Sequence, residues 1–219
     1  MQAGRFAVLF DLDGTLMNTA PGILESIRDT IRQMSLPIPG DDLLKAMIGP
    51  PIRDGFQRFI GLDEQASLQA RDIFRTTYPD KHLFEAVVYP ELRELLVDLR
   101  DRGFCLAVAT SKPEWYAFPL LERFDLTSSF DFISGAKPGR ETKREVLEDA
   151  LHGLGCTDPA HAVLVGDTVY DRIGAATVGC AFLPVSWGYG FAADQDEPDL
   201  CRSVSELKTK LIMKGNAIA

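Results

Sequence analysis

The sequence predicts an α/β fold, a doubly wound parallel sheet with a helical domain inserted after the first strand. Three observations lead there. Unbroken apolar runs at Phe6–Phe10, Phe104–Ala109 and Ala162–Val165 read as strands buried on both faces. Stretches with three- and four-residue apolar periodicity lie between them, the alternation expected of parallel strands joined by helices. Each of these runs ends in polar residues, at the carboxyl edge where open α/β sheets hold ligands.

The first run passes into Asp11, Leu12, Asp13, Gly14, Thr15 and Leu16. Two carboxylates at i and i+2 share a face if the strand geometry continues, because strand side chains alternate with period two. By itself such a pair is a solvated turn with Gly14 supplying the bend. In the company of the other strand ends, the two aspartates can divide a reaction between them. One can attack phosphorus as a nucleophile, and the other can protonate the leaving oxygen and then activate water. Two carboxylates facing a phosphate dianion need a cation between them, and Mg²⁺ suits oxygen ligands. Gly14 lets the backbone approach an anion, and Thr15 adds a hydroxyl.

Composition narrows the partners. The chain has 219 residues, a 46% apolar share and a net charge of −9. Its pI of about 4.8 argues against a nucleic-acid polymer or an anionic membrane as the main partner. A small phosphorylated ligand is compatible, because local charge governs its binding. Cys105, Cys156, Cys180 and Cys201 are scattered without paired spacing, so a reducing compartment is expected. With no basic-then-apolar leader and no membrane-spanning run, a cytoplasmic protein is the expectation. Oligomeric state is not legible.

Residues 16–85 read as helical throughout. Ile23, Ile27, Thr30, Ile31 and Met34 mark a first helix, with Thr19 as its N-cap. SLPIPG breaks it. A second helix is expected over Asp41–Ile48 with Leu43, Leu44 and Met47 on its apolar side, ended by Gly49-Pro50-Pro51. A third segment carries Ile52, Phe56, Phe59 and Ile60. A fourth runs from about Asp63 to Thr77. Arg53, directly after the stiff Gly-Pro-Pro turn, is a candidate to bind a substrate phosphate or carboxylate bidentately; the alternative is a solvated arginine.

After Pro90 an amphipathic helix carries Leu92, Leu95, Leu96 and Leu99, and Gly103 ends it. The strand Phe104–Ala109 runs into Thr110-Ser111-Lys112-Pro113. These are two hydroxyls and a cation able to hold a phosphate oxygen. A strand is expected at Phe130–Ser134, followed by SGAKPGRET and a helix with Val146, Leu147, Ala150, Leu151 and Leu154. Ala162–Val165 ends in Gly166-Asp167-Thr168-Val169-Tyr170-Asp171. A last strand covers Cys180–Val185. Trp187-Gly188-Tyr189-Gly190 then forms a glycine loop that borders the pocket or makes a surface turn. Ser203 and Glu206 suggest a capping box for a terminal helix, with a frayed tail after Lys214. His82, His152 and His161 lie near none of these motifs and read as structural or solvated.

Taken together, DLDGTL, VATSKP, a lysine near residue 140 and GDTVYD resemble the four motifs of the haloacid dehalogenase (HAD) superfamily, in its phosphatase branch. The likeness covers essentially the whole chain. The Gly-Pro-Pro turn and TSKP look most like phosphoglycolate phosphatases and their 5′-nucleotidase-like relatives. The resemblance implies a Rossmann-like core of residues 1–15 and 86–219, with residues 16–85 as a helical cap. It implies Asp11 as nucleophile and Asp13 as acid/base. Thr110 and Lys143 would be catalytic partners on the phosphoryl oxygens, with Gly14 and Ser111 also contacting the substrate. Asp11, the backbone carbonyl of Asp13, and Asp167 would bind Mg²⁺, while Lys112 and Asp171 would support the site.

Two lysines compete for the third motif. Lys137-Pro138 resembles a pair seen in many relatives, whereas Lys143 has the usual spacing of 24 residues before Asp167, and it is preferred. Asn18-Thr19 departs from the Asp-Ser common in relatives, which touches only the hinge. The second aspartate disfavours halide displacement. The implied function is a Mg²⁺-dependent phosphatase acting on a small phosphorylated metabolite through an aspartyl-phosphate. A phosphosugar mutase uses the same motifs, and a non-catalytic phosphate-binding protein is the reading from another class.

Overall fold

A computed structural model describes residues 5–217. The described chain forms two compact units. One holds the chain up to Met17 together with everything from Val88 onward, and the other is Asn18–Val87. The chain passes between them at two short strands, β2 (Met17–Asn18) and β3 (Val87–Val88), which pair with each other.

The larger unit is built on a five-stranded parallel sheet. Its strands are β1 (Ala7–Phe10), β4 (Cys105–Pro113), β5 (Phe132–Ala136), β6 (Ala162–Gly166) and β7 (Ala181–Pro184), in the order β5-β4-β1-β6-β7. β1 is central, with Leu9 beside Ala107 on one neighbour and Leu164 on the other. Every residue of β1 is buried, as the unbroken apolar run requires of a strand covered on both faces. On one face Ala7, Leu9, Ala107, Ala109 and Leu164 pack against Val146, Leu147, Ala150 and Leu151. Those four belong to α7 (Lys143–Gly153). Val8 and Phe10 point the other way by strand alternation and are equally buried. The remaining helices of this unit are α5 (Leu92–Asp101), α6 (Glu114–Arg123), α8 (Val169–Val178) and α9 (Val204–Asn216).

Several boundaries differ from the sequence reading. β4 does not end at Ala109 but continues to Pro113, with an irregular register between Thr110 and Pro113 where the chain turns toward α6. β5 begins two residues later than expected. The α6 helix has no counterpart in the sequence reading, because Pro119 lies inside it and weakens any helical signal. Ser203 caps α9 by accepting from the Glu206 amide, but the Glu206 carboxylate accepts from Arg202 N rather than closing the box on Ser203. The helix runs on to Asn216, so residues 215 and 216 are helical rather than frayed; residues 218 and 219 lie outside the described residues.

The smaller unit is helical. α1 (Ala20–Gln33) packs against α4 (Glu64–Thr77). Thr19 occupies the N-cap position of α1 without capping it; the Asn18 side chain accepts from Ala20 N instead, 3.2 Å away. α2 is shorter than expected, Asp41–Lys45, with Leu44 and Met47 buried but Leu43 exposed. α3 (Ile52–Gly55) passes directly into a π-helical turn over Phe56–Ile60, which Gly61 ends at φ 78°. A second π-helical turn, Tyr78–His82, extends α4, and Tyr78 stacks on Phe74 at 5.4 Å.

Candidate active site

The carboxyl edge of the parallel sheet brings together five chain segments. β1 delivers Asp11, whose amide still donates to Val165 O at 2.9 Å as though the strand continued. The chain then curls. Leu12 O accepts from the amides of Leu16 and Met17, and Gly14 takes a left-handed φ of 83° that only glycine adopts without strain. β4 delivers Thr110 and Lys112, α7 delivers Lys143 on its first residue, β6 delivers Asp167, and α8 delivers Asp171 in its first turn.

Lys143 is the cationic centre of the larger group. Its Nζ lies 2.6 Å from Asp11 Oδ1 and 2.7 Å from Asp171 Oδ1, and it donates to Ala109 O at 2.8 Å. Its helix begins with a complete capping box between Thr142 and Glu145, which sets the first turn and hence the direction of the lysine. Lys137 goes elsewhere: it is paired with Glu114 on the surface. Asp171 is fixed by its own capping box, its Oδ2 accepting from Thr168 N at 3.0 Å and from the Thr168 hydroxyl at 2.6 Å.

Asp13 has a separate partner. The buried Lys112 ammonium donates to both of its carboxylate oxygens, at 2.9 and 3.3 Å. Thr110, also buried, accepts from Lys112 N through its hydroxyl at 3.1 Å, which holds the irregular turn at the end of β4. Ser111 in that turn is exposed. Arg53 belongs to the helical unit, where it pairs with Asp54 at 3.2 Å and Glu64 at 3.6 Å.

The electrostatics are those of crowded carboxyls. Burial pushes the Asp11 carboxyl up to about 7. Lys143 opposes this, while Asp171 and Asp13 add to it. Asp167 is raised well above the ordinary carboxylate range, by burial first and then by the charges of Asp11 and Asp171. Burial works against the Lys143 ammonium, yet its two carboxylate partners outweigh that and hold its pKa above the ordinary lysine value. Oxygens of Asp11, Asp167 and Asp171 lie within 4.8 Å of one another. One lysine among three buried carboxyls leaves negative charge uncompensated, and an all-oxygen set of this kind fits a hard divalent cation. Asp13 stands outside this cluster of side chains, since its carboxylate faces Lys112.

The sequence reading left open whether the Trp187–Gly190 loop borders the pocket, and it did not connect that loop or Thr15 to Asp167. Its Oδ1 accepts from the Thr15 hydroxyl at 3.0 Å and its Oδ2 from the Tyr189 amide at 2.7 Å. Trp187 Nε1 donates to Thr15 O at 3.1 Å. The Trp-Gly-Tyr-Gly loop is therefore part of the site and not a bare surface turn. The available signal was its position directly after the last core strand.

Residues 8–185 match the family model of the haloacid dehalogenase-like hydrolases. The chain belongs to the haloacid dehalogenase-like hydrolase family. It is 38% identical over 187 residues to the Mycobacterium tuberculosis tyrosine-protein kinase PtkA, covering 84% of this chain and 63% of that protein. It is 33% identical over 185 residues to a 5′-nucleotidase of Pseudomonas aeruginosa, covering 84% and 83%. Its fold superposes on a predicted phosphatase from Clostridium acetobutylicum with a TM-score of 0.87 and 32% identity, covering 96% and 100%. The chain thus spans less than two thirds of the length of that kinase relative.

Proposed function

We propose that this HAD-family chain is a Mg²⁺-dependent phosphatase that hydrolyses a small phosphate monoester through an aspartyl-phosphate. The observation that carries the reading is the division of the two aspartates between two lysines, Asp11 with Lys143 and Asp13 with Lys112. A protein that only bound phosphate would have no need to hold a second carboxylate apart from the first.

Asp11 attacks phosphorus in line, and the phosphorus–oxygen bond to the leaving group breaks. Asp13 gives its proton to the leaving alkoxide, then takes one from the water that cleaves the acyl phosphate and regenerates Asp11. Lys143 and the Thr110 hydroxyl offset charge on the phosphoryl oxygens, with backbone donors from Gly14 and Ser111. Mg²⁺ held by Asp11, Asp167 and the Asp13 carbonyl would neutralise the charge that otherwise keeps a phosphate dianion from two carboxylates. Asp171 orients Lys143, and Lys112 orients Asp13.

The helical unit, residues 18–87, is the cap in this reading, and Arg53 its candidate substrate contact. The sequence motifs and the 5′-nucleotidase relative support phosphoglycolate or a nucleoside monophosphate as the substrate class. The relative named as a tyrosine-protein kinase adds phosphoryl transfer as the competing reaction.

The test is phosphate release from phosphoglycolate, nucleoside monophosphates, sugar phosphates and an aryl phosphate, with and without Mg²⁺. The native chain and Asp11→Asn are compared, and one arm offers ATP with a tyrosine peptide. Mg²⁺-dependent release that Asp11→Asn abolishes is the expected result. Phosphate appearing on tyrosine with no release from any monoester would overturn hydrolysis in favour of transfer.

A further inference from the structure

We infer that the loop Trp187–Gly190 is a positioning clamp for Asp167, which holds that carboxylate in the one orientation that presents it to a divalent cation. The inference rests on the proposed cation site and goes beyond it, because none of the four loop residues is among the acids that would bind the ion.

The clamp has three parts. The first is a pair of hydrogen bonds to the two carboxylate oxygens, one from the Thr15 hydroxyl at 3.0 Å and one from the Tyr189 amide at 2.7 Å. With the two oxygens engaged from the loops after β1 and β7, the strands on either side of β6, the carboxylate plane of a fully buried residue is set. The second part is close approach. A Cβ on Gly188 would strike Asp167 Cβ, Asp167 Oδ2 and Gly14 O, and a Cβ on Gly190 would strike Asp167 O. A Cβ on Gly14 would likewise strike the Asp167 carboxylate. Gly14 and Gly188 thus close on the Asp167 side chain and Gly190 on its backbone, and any side chain at 188 would push the Tyr189 amide away from the carboxylate.

The third part ties the clamp down. Trp187 Nε1 donates to Thr15 O at 3.1 Å, so the loop and the hydroxyl that grip Asp167 also hold each other. Tyr89 meets the Trp187 ring at 6.5 Å between centroids and is hydrogen-bonded to Tyr189. Further along, the Arg172 guanidinium of α8 stacks over Phe191 at 4.8 Å and pairs with Glu197, which fixes the chain beyond Gly190. Trp187 and Gly188 are therefore positioning residues. Their contacts run to Thr15 and Asp167, and they act through Asp167.

Groups that orient a metal-binding carboxylate typically contribute about 10- to 100-fold in affinity. The experiment measures Mn²⁺ affinity of the whole chain by the loss of free-ion electron paramagnetic resonance signal, without substrate and without turnover. Native protein, Asp167→Asn, Gly188→Ala and Trp187→Phe are compared, with thermal unfolding in EDTA for each. Asp167→Asn is expected to abolish binding. Gly188→Ala and Trp187→Phe are expected to weaken it about tenfold or more while unfolding near the native midpoint. Trp187→Phe keeps an aromatic side chain but loses the Nε1 donor along with the pyrrole part of the indole, so with its unfolding midpoint as control it decides the matter if Gly188→Ala does not fold. Native affinity in Trp187→Phe, with binding lost in Asp167→Asn, would overturn the clamp and leave the cation site standing. A native chain that leaves all Mn²⁺ free would overturn the cation reading, and the clamp with it.

Discussion

Lys143 Nζ lies 2.6 Å from Asp11 Oδ1, although 132 residues of chain separate the two. Both side chains are buried, and a second carboxylate, Asp171, sits 2.7 Å from the same ammonium. Removing the cation would leave two buried carboxyls facing each other. Lys143→Met is therefore expected to destabilise the chain in EDTA by about 3 kcal/mol, the range for breaking a buried pair. Denaturant unfolding checks this, and phosphate release from the preferred monoester should fall to background in the same variant. Unchanged unfolding would mean that the pair contributes nothing to the fold.

Lys112→Met tests whether the second lysine serves Asp13. Lys112 holds both oxygens of that carboxylate, so its loss removes this ion pair from the proposed acid/base. The expected outcome is a fall in kcat on the order of 10²-fold, typical of impaired proton transfer, with KM changed far less. Steady-state kinetics on the preferred monoester separate the two. A rise in KM at constant kcat would instead assign Lys112 to substrate binding.

Arg140 anchors the loop that leads to Lys143. Its buried guanidinium donates twice to Gly135 O, at 3.0 and 2.8 Å, and pairs with Asp149 and Glu114. Arg140→Met is expected to cost about 2 kcal/mol in urea unfolding, the range for losing charge-assisted hydrogen bonds, because Glu114 and Asp149 are part-exposed and keep Lys137 and Ser134 as partners. Arg140→Lys should recover only part of this, since an ammonium cannot reproduce the planar fork of donors.

His82 gives a pH dependence within the helical unit. Burial works against its charged form, but hydrogen bonds to Glu85 and Asp29 outweigh it and raise the imidazole above 6.5. A group whose folded pKa is raised stabilises fully below its unfolded pKa and loses that contribution as pH rises through the folded value. Stability from this contact should therefore decline above pH 6.5, and His82→Gln should remove the decline. An NMR titration placing the His82 imidazole below 6.5 would contradict the assignment.

Much of the site was readable because each motif is local. Asp11 and Asp13 follow an unbroken apolar run, and Asp167 follows another, so strand ends and acids can be found together without knowing where they meet. Lys137 and Lys143 could be separated only by a family's usual spacing and residue order, not by any property of the residues themselves. The Thr142–Glu145 capping box settles where Lys143 points, since a helix that starts at residue 143 aims its first side chain at the sheet edge. The α6 helix was missed because Pro119 contradicts its local pattern, and the packing of Tyr116, Leu120 and Leu121 overrides that. The role of Trp187–Gly190 was unreadable for a different reason. Its decisive groups are a backbone amide and the absence of a Cβ, and neither carries a chemical signature in a one-letter string.

The sequence by itself determined the alternating α/β class, the helical character of the inserted stretch and the acids at the strand ends, because hydrophobic period and strand-end chemistry are properties of neighbouring residues. Only the tertiary structure decided which charges pair. Asp11 with Lys143, Asp13 with Lys112, and Asp167 with Thr15 and Tyr189 are contacts across 99 residues or more in the first two cases, and across 152 and 22 in the last. Such pairings depend on strand order β5-β4-β1-β6-β7. That order is set by how the whole apolar core closes, not by any stretch of chain read alone.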